Sequence, residues 1–171
     1  MRFTLVILSL GGKMIYSLPR RIDENVHVFG FLTELFGIMI ESFLHNTEVF
    51  RMRVDHYVIT IRKFQDLYFC LVLPAVVDER TADEILEDIA SRFVDMYGSD
   101  VDLIEARQLY EKLSFESFDE YVIRVLESRF GEVKPVNITE IVETTYSELA
   151  KRGVEVGELK EYFEPVRIPI L

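Results

Sequence analysis

Two short segments of this chain are apolar at nearly every position, and they constrain the fold more than any other feature. Residues 3–10 and residues 67–73 are runs of apolar and β-branched side chains, without the polar alternation of a half-exposed strand. A strand that is apolar on both sides belongs in the centre of a sheet that is covered on both faces. The sequence therefore predicts an α/β domain in which these two segments are central, neighbouring strands.

Three further strands complete the predicted sheet. Residues 14–18 follow Gly11 and Gly12, which permit a tight turn, so they form a hairpin with the first strand. Residues 49–55 alternate Arg51 and Arg53 with apolar positions, and residues 57–64 alternate in the same way, which is typical of strands toward an edge. The predicted strand order is 2-1-5-4-3. The pattern leaves open whether strands one and five run parallel or antiparallel.

One long helix is predicted after strand two, over residues 23–44. Its apolar stripe is wide, so this helix is either nearly surrounded by protein or presents apolar surface to a partner. Four more helices are predicted over residues 81–97, 101–113, 114–130 and 138–152, the first of them from a capping box at Thr81 and Glu84. The last residues, 165–171, form an extended apolar tail that we expect to add a strand or fill a groove.

The charge of the chain is divided unevenly between its two halves. Residues 1–77 carry eight Lys and Arg against seven Asp and Glu, whereas residues 78–171 carry eleven against twenty-three. Nucleic acids and anionic membranes are therefore disfavoured as partners, since both require clustered positive charge. The acidic half is interpreted as a solvated helical surface, with a docking face for a basic partner as the alternative.

Residue types that carry chemistry are sparse. Cys70 is the single cysteine and lies in a central apolar strand, which predicts an inert core thiol, no internal disulfide and a reducing, cytoplasmic compartment. The three histidines lack zinc-binding spacing, and the longest apolar stretch is interrupted by charges, so we expect no metal, no cofactor and no membrane insertion. These observations predict a protein that is not an enzyme.

The order ββαβββ followed by helices resembles the longin domain, a profilin-like module of the longin/roadblock superfamily. Three local features carry the resemblance: the strand, glycine turn and strand that include Ser9 to Tyr16, the apolar strand at residues 68–73, and the helix end at residues 93–97. The resemblance covers residues 1 to about 110. It implies a longin-like domain over residues 1–130, with residues 131–171 as a helical extension and tail. It also implies a non-catalytic adaptor that binds a protein, either a small GTPase or a second copy of itself.

Two groups of residues are predicted to contact a partner. They are an apolar group on the long helix and a basic group on strands three and four: Phe31, Leu35, Met39, Arg51, Arg53 and Arg62. The arginines either discourage aggregation at an exposed edge or dock an acidic partner, including the acidic half of a second copy. The alternative function is a small-molecule sensor, with a pocket between the long helix and the sheet where Tyr16, His27 and Tyr68 converge.

Overall fold

The computed structural model describes residues 1–10, 14–19, 26–44, 47–98, 115–136 and 138–154, with the side chains of residues 26–33, 135, 138 and 139 outside this description. The secondary structure follows the predicted ββαβββ order and continues with helices. The elements are β1 (Arg2–Ser9), β2 (Met14–Leu18), α1 (Val26–Phe43), β3 (Val49–Val54), β4 (Tyr57–Phe64), β5 (Leu67–Pro74), α2 (Glu79–Tyr97), α3 (Glu116–Phe130), β6 (Lys134–Pro135) and α4 (Ile138–Lys151).

The main sheet has the strand order β2-β1-β5-β4-β3, which confirms the predicted order and the predicted α/β class. β1 and β5 run antiparallel, with Val6 opposite Cys70, so the question that the sequence left open is answered. Every residue of β1 after Arg2 is buried, as are Leu67 and residues 69–73 of β5. The two apolar segments are central because helices cover both sides of them.

One face of the sheet, here called the α1 face, is covered by α1 and α4. Leu35, Phe36 and Met39 of α1 are buried against alternate residues of the central strands, such as Val6 and Val72. α4 packs beside α1 and contributes Ile141, Val142 and Leu149 to the same core. In its described part, α1 buries Leu35, Phe36 and Met39 on the side that faces the sheet, while Glu34, Glu41 and Ser42 are exposed, so this part of the helix is not surrounded by protein.

The opposite face, the α2 face, is covered by α2 and α3 and contains an aromatic cluster. Phe93 of α2 lies at its centre, with ring centroids 5.1 Å from Phe118, 5.9 Å from Phe69 and 6.2 Å from Tyr16. Most of these rings meet at tilted or edge-to-face angles, the arrangement that the aromatic quadrupole favours. The cluster fixes both helices on the sheet.

α2 begins earlier than the sequence predicts. The expected start was a capping box at Thr81, but the N-cap is Asp78, whose carboxylate accepts hydrogen bonds from Thr81 N at 2.9 Å and Thr81 Oγ1 at 2.8 Å. An aspartate three positions earlier satisfies one of the free N–H groups of the first turn. α3 and α4 end where predicted, at Gly131 and Gly153, both of which adopt the positive φ that glycine permits.

One short strand, β6 at Lys134 and Pro135, was not predicted. β6 runs parallel to β1, with Lys134 N donating to Met1 O at 2.7 Å and Val136 N donating to Phe3 O at 2.9 Å. This pairing brings the chain back to the sheet before α4 begins. The predicted turn at Gly11 and Gly12, the helix over residues 101–113 and the tail over residues 165–171 lie outside the described residues.

Candidate protein-docking edge

β3 is an edge strand of the sheet. Within the described ranges it pairs only with β4, through a hairpin whose turn residues are Asp55 and His56. Glu48 O accepts a hydrogen bond from Lys63 N at 2.8 Å, so the backbone of Glu48 faces β4. Because backbone groups alternate in direction along a strand, the N–H and C=O groups of Val49, Arg51 and Arg53 face away from β4. Unpaired groups of this kind can pair with a strand from another chain.

The two rows of β3 side chains differ in character. Met52 and Val54 point to the α1 face and are buried, while Phe50 on the same face is half-buried and stacks on Phe43 of α1 at a centroid distance of 4.5 Å. Arg51 and Arg53 point to the α2 face. An incoming strand would therefore meet an apolar row on one side and a basic row on the other.

Two of the arginines are paired with carboxylates of α2. Arg51 donates from Nη2 to Asp83, and Arg62 Nη1 of β4 lies 3.8 Å from Glu87 Oε2. Asp83 and Glu87 are one helical turn apart, so they meet two neighbouring strands from one side of α2. Each pair joins an arginine of residues 1–77 to a carboxylate of the acidic half, residues 78–171, within one chain. The sequence suggested such a contact across a dimer.

Arg53 differs from these two arginines. Its side chain is exposed, and its Nε donates to the carbonyl oxygen of Asp55 at 3.3 Å, which leaves the positive charge unneutralised. Among the described residues, Arg53 forms no ion pair. It is therefore the cation on β3 whose charge is available to a partner.

A groove of about 510 Å³ lies beside this strand, between β3, β4 and the start of α2. Its floor includes Val58 and Thr60 of β4, and the loop before α2 forms one wall. Asp78 also lines the groove, but its carboxylate caps α2, and the hydrogen bonds from the backbone and side chain of Thr81 lower its pKa. In the loop itself, Val76 is 93% exposed. The groove thus adjoins Arg53, which has no ion pair among the described residues, and the loop that lines it through Ala75 and Val77 also carries the exposed Val76.

The predicted interaction residues fall into two groups on opposite faces of the sheet. Arg51, Arg53 and Arg62 share the α2 face of two neighbouring strands, as predicted. Leu35 and Met39 lie in the core of the α1 face, 1% and 0% exposed, and the side chain of Phe31 is outside the described residues. A partner could reach Leu35 or Met39 only if α1 moved away from the sheet, so the structure does not bring the six residues into one site.

Sequence reasoning missed the groove and the loop that borders it. Pro74 correctly marks the end of β5, but the position of residues 75–78 beside β3 depends on how α2 crosses the sheet. The exposed Val76 within an apolar run was the available signal, since an apolar side chain in a loop is a candidate contact residue.

The polar groups proposed for a sensor pocket do not converge. Tyr16 is buried in the aromatic cluster of the α2 face, where its hydroxyl group donates to Asp119 Oδ1 at 2.5 Å. Tyr68 lies on the α1 face, and the side chain of His27 is outside the description. Two of the three groups are thus separated by the sheet. The described contact between α1 and the sheet is filled by Leu35, Phe36 and Met39.

Cys70 is fully buried in β5, and this burial raises the pKa of its thiol well above the ordinary value. A nucleophilic cysteine requires the opposite, an accessible thiolate. Within the described ranges, no three His, Cys, Asp or Glu side chains are grouped closely enough to hold a metal ion. Over the same residues, no helix has the length and apolarity needed to span a membrane.

Similarity to known proteins is found among solved structures. No protein-family model matches the sequence, and no curated protein matches it. Among solved structures, a Roadblock/LC7 domain from Streptomyces avermitilis is similar, with 11% sequence identity, a TM-score of 0.41, and coverage of 55% of this chain and 82% of that one. The assignment of the fold rests on the strand order and the element order described above.

Proposed function

We propose that this chain is a non-catalytic protein-interaction domain that binds its partner along the free edge of β3. The observation that carries the proposal is that edge itself, where Val49, Arg51 and Arg53 present backbone hydrogen-bonding groups with no partner among the described residues. Strand addition uses such groups for affinity and the flanking side chains for selectivity.

The surroundings of β3 support this proposal. Natural proteins usually protect an edge strand by covering, shortening or twisting it. β3 is six residues long, so it is not a shortened edge, and its basic row is Arg51, which is paired with Asp83, and Arg53, which has no ion pair among the described residues. The groove beside β3 and the exposed Val76 add surface where partner side chains can be buried.

A role as an adaptor follows from this mode of binding, and the cytoplasm is the proposed compartment because the single thiol is unpaired. A small GTPase as the partner remains a prediction from the resemblance to longin domains. We place no catalytic step in the chain, since Cys70 is inaccessible and the proposed site is a strand edge with a basic row.

The test replaces Val49 with proline. Val49 is the first residue of β3, where proline is tolerated, and its N–H points outward, so V49P removes an edge donor without breaking a bond to β4. The matched control is V49A, which shortens the side chain but keeps the donor. Binders are selected from displayed random peptides long enough to span β3. The selected binders should lose affinity for V49P by about tenfold or more and retain it for V49A.

Two measurements keep this test interpretable. Circular dichroism and urea unfolding show whether V49P keeps the fold and stability of V49A. If the folded V49P variant bound every selected peptide as well as V49A does, docking at the β3 edge would be wrong.

A further inference from the structure

The two rows of side chains on β3 define the chemistry of the strand that pairs with it. We infer that the free edge of β3 selects an extended segment of another protein in which apolar and acidic side chains alternate, in preference to a second copy of this chain. This inference rests on the proposed function and specifies the partner's chemistry at the same edge.

The α1-face row favours apolar side chains in the incoming strand. Phe50 and Phe43 are both half-buried and stacked, so part of each ring stays exposed next to the free edge. Directly opposite residues of antiparallel strands point to the same face and approach to about 5 Å. Every second side chain of the incoming strand therefore lies beside aromatic surface and is stabilised by burial against it.

The α2-face row favours acidic side chains. Arg53 is exposed and forms no ion pair among the described residues, and Arg51 is 25% exposed while its partner Asp83 is 38% exposed. A carboxylate opposite Arg53 forms a charge-assisted hydrogen bond that no described residue of this chain supplies. The groove lies on the same face and is lined by both arginines, together with Asp78 and Glu79 at the start of α2, so the favoured position for an acidic side chain is directly opposite Arg53 and away from these two carboxylates.

A second copy is disfavoured by the same row. When two copies of β3 pair antiparallel around a two-fold axis, residues on the same face must lie opposite each other. Two registers give the largest overlap: one sets Arg51 against Arg53 of the other copy, and the other sets the two Arg51 side chains against each other. Like charges directly opposite each other destabilise a strand pair. The same geometry favours an acidic strand.

The experiment uses a capped synthetic peptide in which valine and glutamate alternate, and a second peptide with lysine in place of glutamate. Binding is measured by NMR titration of the full chain, with the amide signals of β3 as the readout. The glutamate peptide should bind about tenfold more tightly than the lysine peptide, because each attractive cross-strand pair is replaced by a repulsive one.

Charge reversal at Arg53 locates the effect. R53E should abolish or invert the preference for the glutamate peptide, because it replaces the positive charge at this position with a negative one. R124E is the matched control: Arg124 is an exposed arginine of α3, so the change in net charge is the same but the site is distant. R124E should leave the preference as it is in the parent chain.

Three results would overturn the inference. The first is equal binding of both peptides with both weakened by V49P, which would keep the docking edge but remove its selectivity. The second is a dimer in light scattering that V49P dissociates, which would make a second copy the occupant. The third is binding of neither peptide while V49P-sensitive random peptides without acidic alternation are selected. A failure of the proposed function is distinct from these, because then no binder of any charge responds to V49P.

Discussion

The inner half of the sheet, β1 and β5, and the outer half, β3 and β4, differ in how their α2 face is buried. Around β1 and β5, the α2 face is apolar and covered by α2 and α3, with Leu5, Phe69 and Leu71 buried. Around β3 and β4, the same face presents Arg51, Thr60 and Arg62. α2 contacts β5 and β4, so its acidic flank, and not its apolar side, reaches the outer strands.

This difference shows which part of the α2 face contributes most to the folding free energy and which part is available for binding. Buried apolar area is the main source of folding free energy, at about 25 cal/mol per Å². Partly exposed ion pairs contribute about 1 kcal/mol or less each. On the α2 face, therefore, the inner half of the sheet contributes most of the stability, and the outer half can change its charges there at little cost to stability.

The largest expected effect comes from the aromatic cluster of the inner half. F93A removes the ring that contacts Tyr16, Phe69 and Phe118 and should lower the free energy of unfolding by about 3–5 kcal/mol. Urea unfolding followed by circular dichroism measures this loss. The control is F50A in the outer half, where the ring is half-buried and the loss should be clearly smaller. Equal losses would mean that the two halves do not differ in this way.

An intermediate effect is expected from Cys70 at alkaline pH. Burial raises the pKa of this thiol in the folded chain, so the native state keeps its proton when the unfolded chain loses it. The sign follows by linkage: the stability contributed by the thiol is complete below the ordinary pKa of 9.0 and is lost as the pH rises above it. The loss approaches about 1.4 kcal/mol per pH unit.

The variant C70A isolates this contribution, because it removes the thiol and keeps every other titrating group. Unfolding in urea at about pH 8 and about pH 10 should show a steeper fall in stability for the parent chain than for C70A. Identical pH dependence in the two proteins would contradict the assignment of Cys70 to the inner core.

The smallest expected effect belongs to the ion pair between Arg51 and Asp83 in the outer half. A double-mutant cycle with R51A and D83A should give a coupling free energy of about 0.5–1 kcal/mol, since both side chains are partly exposed. The more exposed pair of Arg80 and Glu84 within α2 is the reference and should give about 0.3–0.5 kcal/mol. A coupling of several kcal/mol at Arg51 would show that the α2 face of the outer half contributes to stability as a core contact does.

The strand order could be predicted because a strand that is buried on both faces is apolar at consecutive positions of the sequence. β1 and β5 lack alternation because both of their faces are covered, while Arg51 and Arg53 mark β3 as a strand with one solvated face. Together with two short hairpin turns, these patterns leave few sheet orders to consider. No such pattern indicates whether β1 and β5 run parallel or antiparallel.

The details of the site could not be predicted, because they depend on contacts between residues that are distant in sequence. Which carboxylate meets Arg51 depends on where α2 crosses the sheet, and nothing local to Asp83 specifies it. β6 was missed because two residues with one proline have no periodicity to detect. The N-cap at Asp78 was obscured by a second capping pattern that begins at Thr81.

The central position of β1 has a consequence for how the chain folds as it is synthesised. Val6 pairs with Cys70, and Arg2 pairs with Lys134, so this early, apolar strand finds most of its partners only after much of the protein has been made. Until then, β2 is the neighbour that can shield it. Contacts between residues this far apart slow folding and lengthen the time in which an apolar strand can aggregate. Variants that weaken the hairpin of β1 and β2 should therefore lower the soluble yield even where the free energy of unfolding of the finished protein changes little.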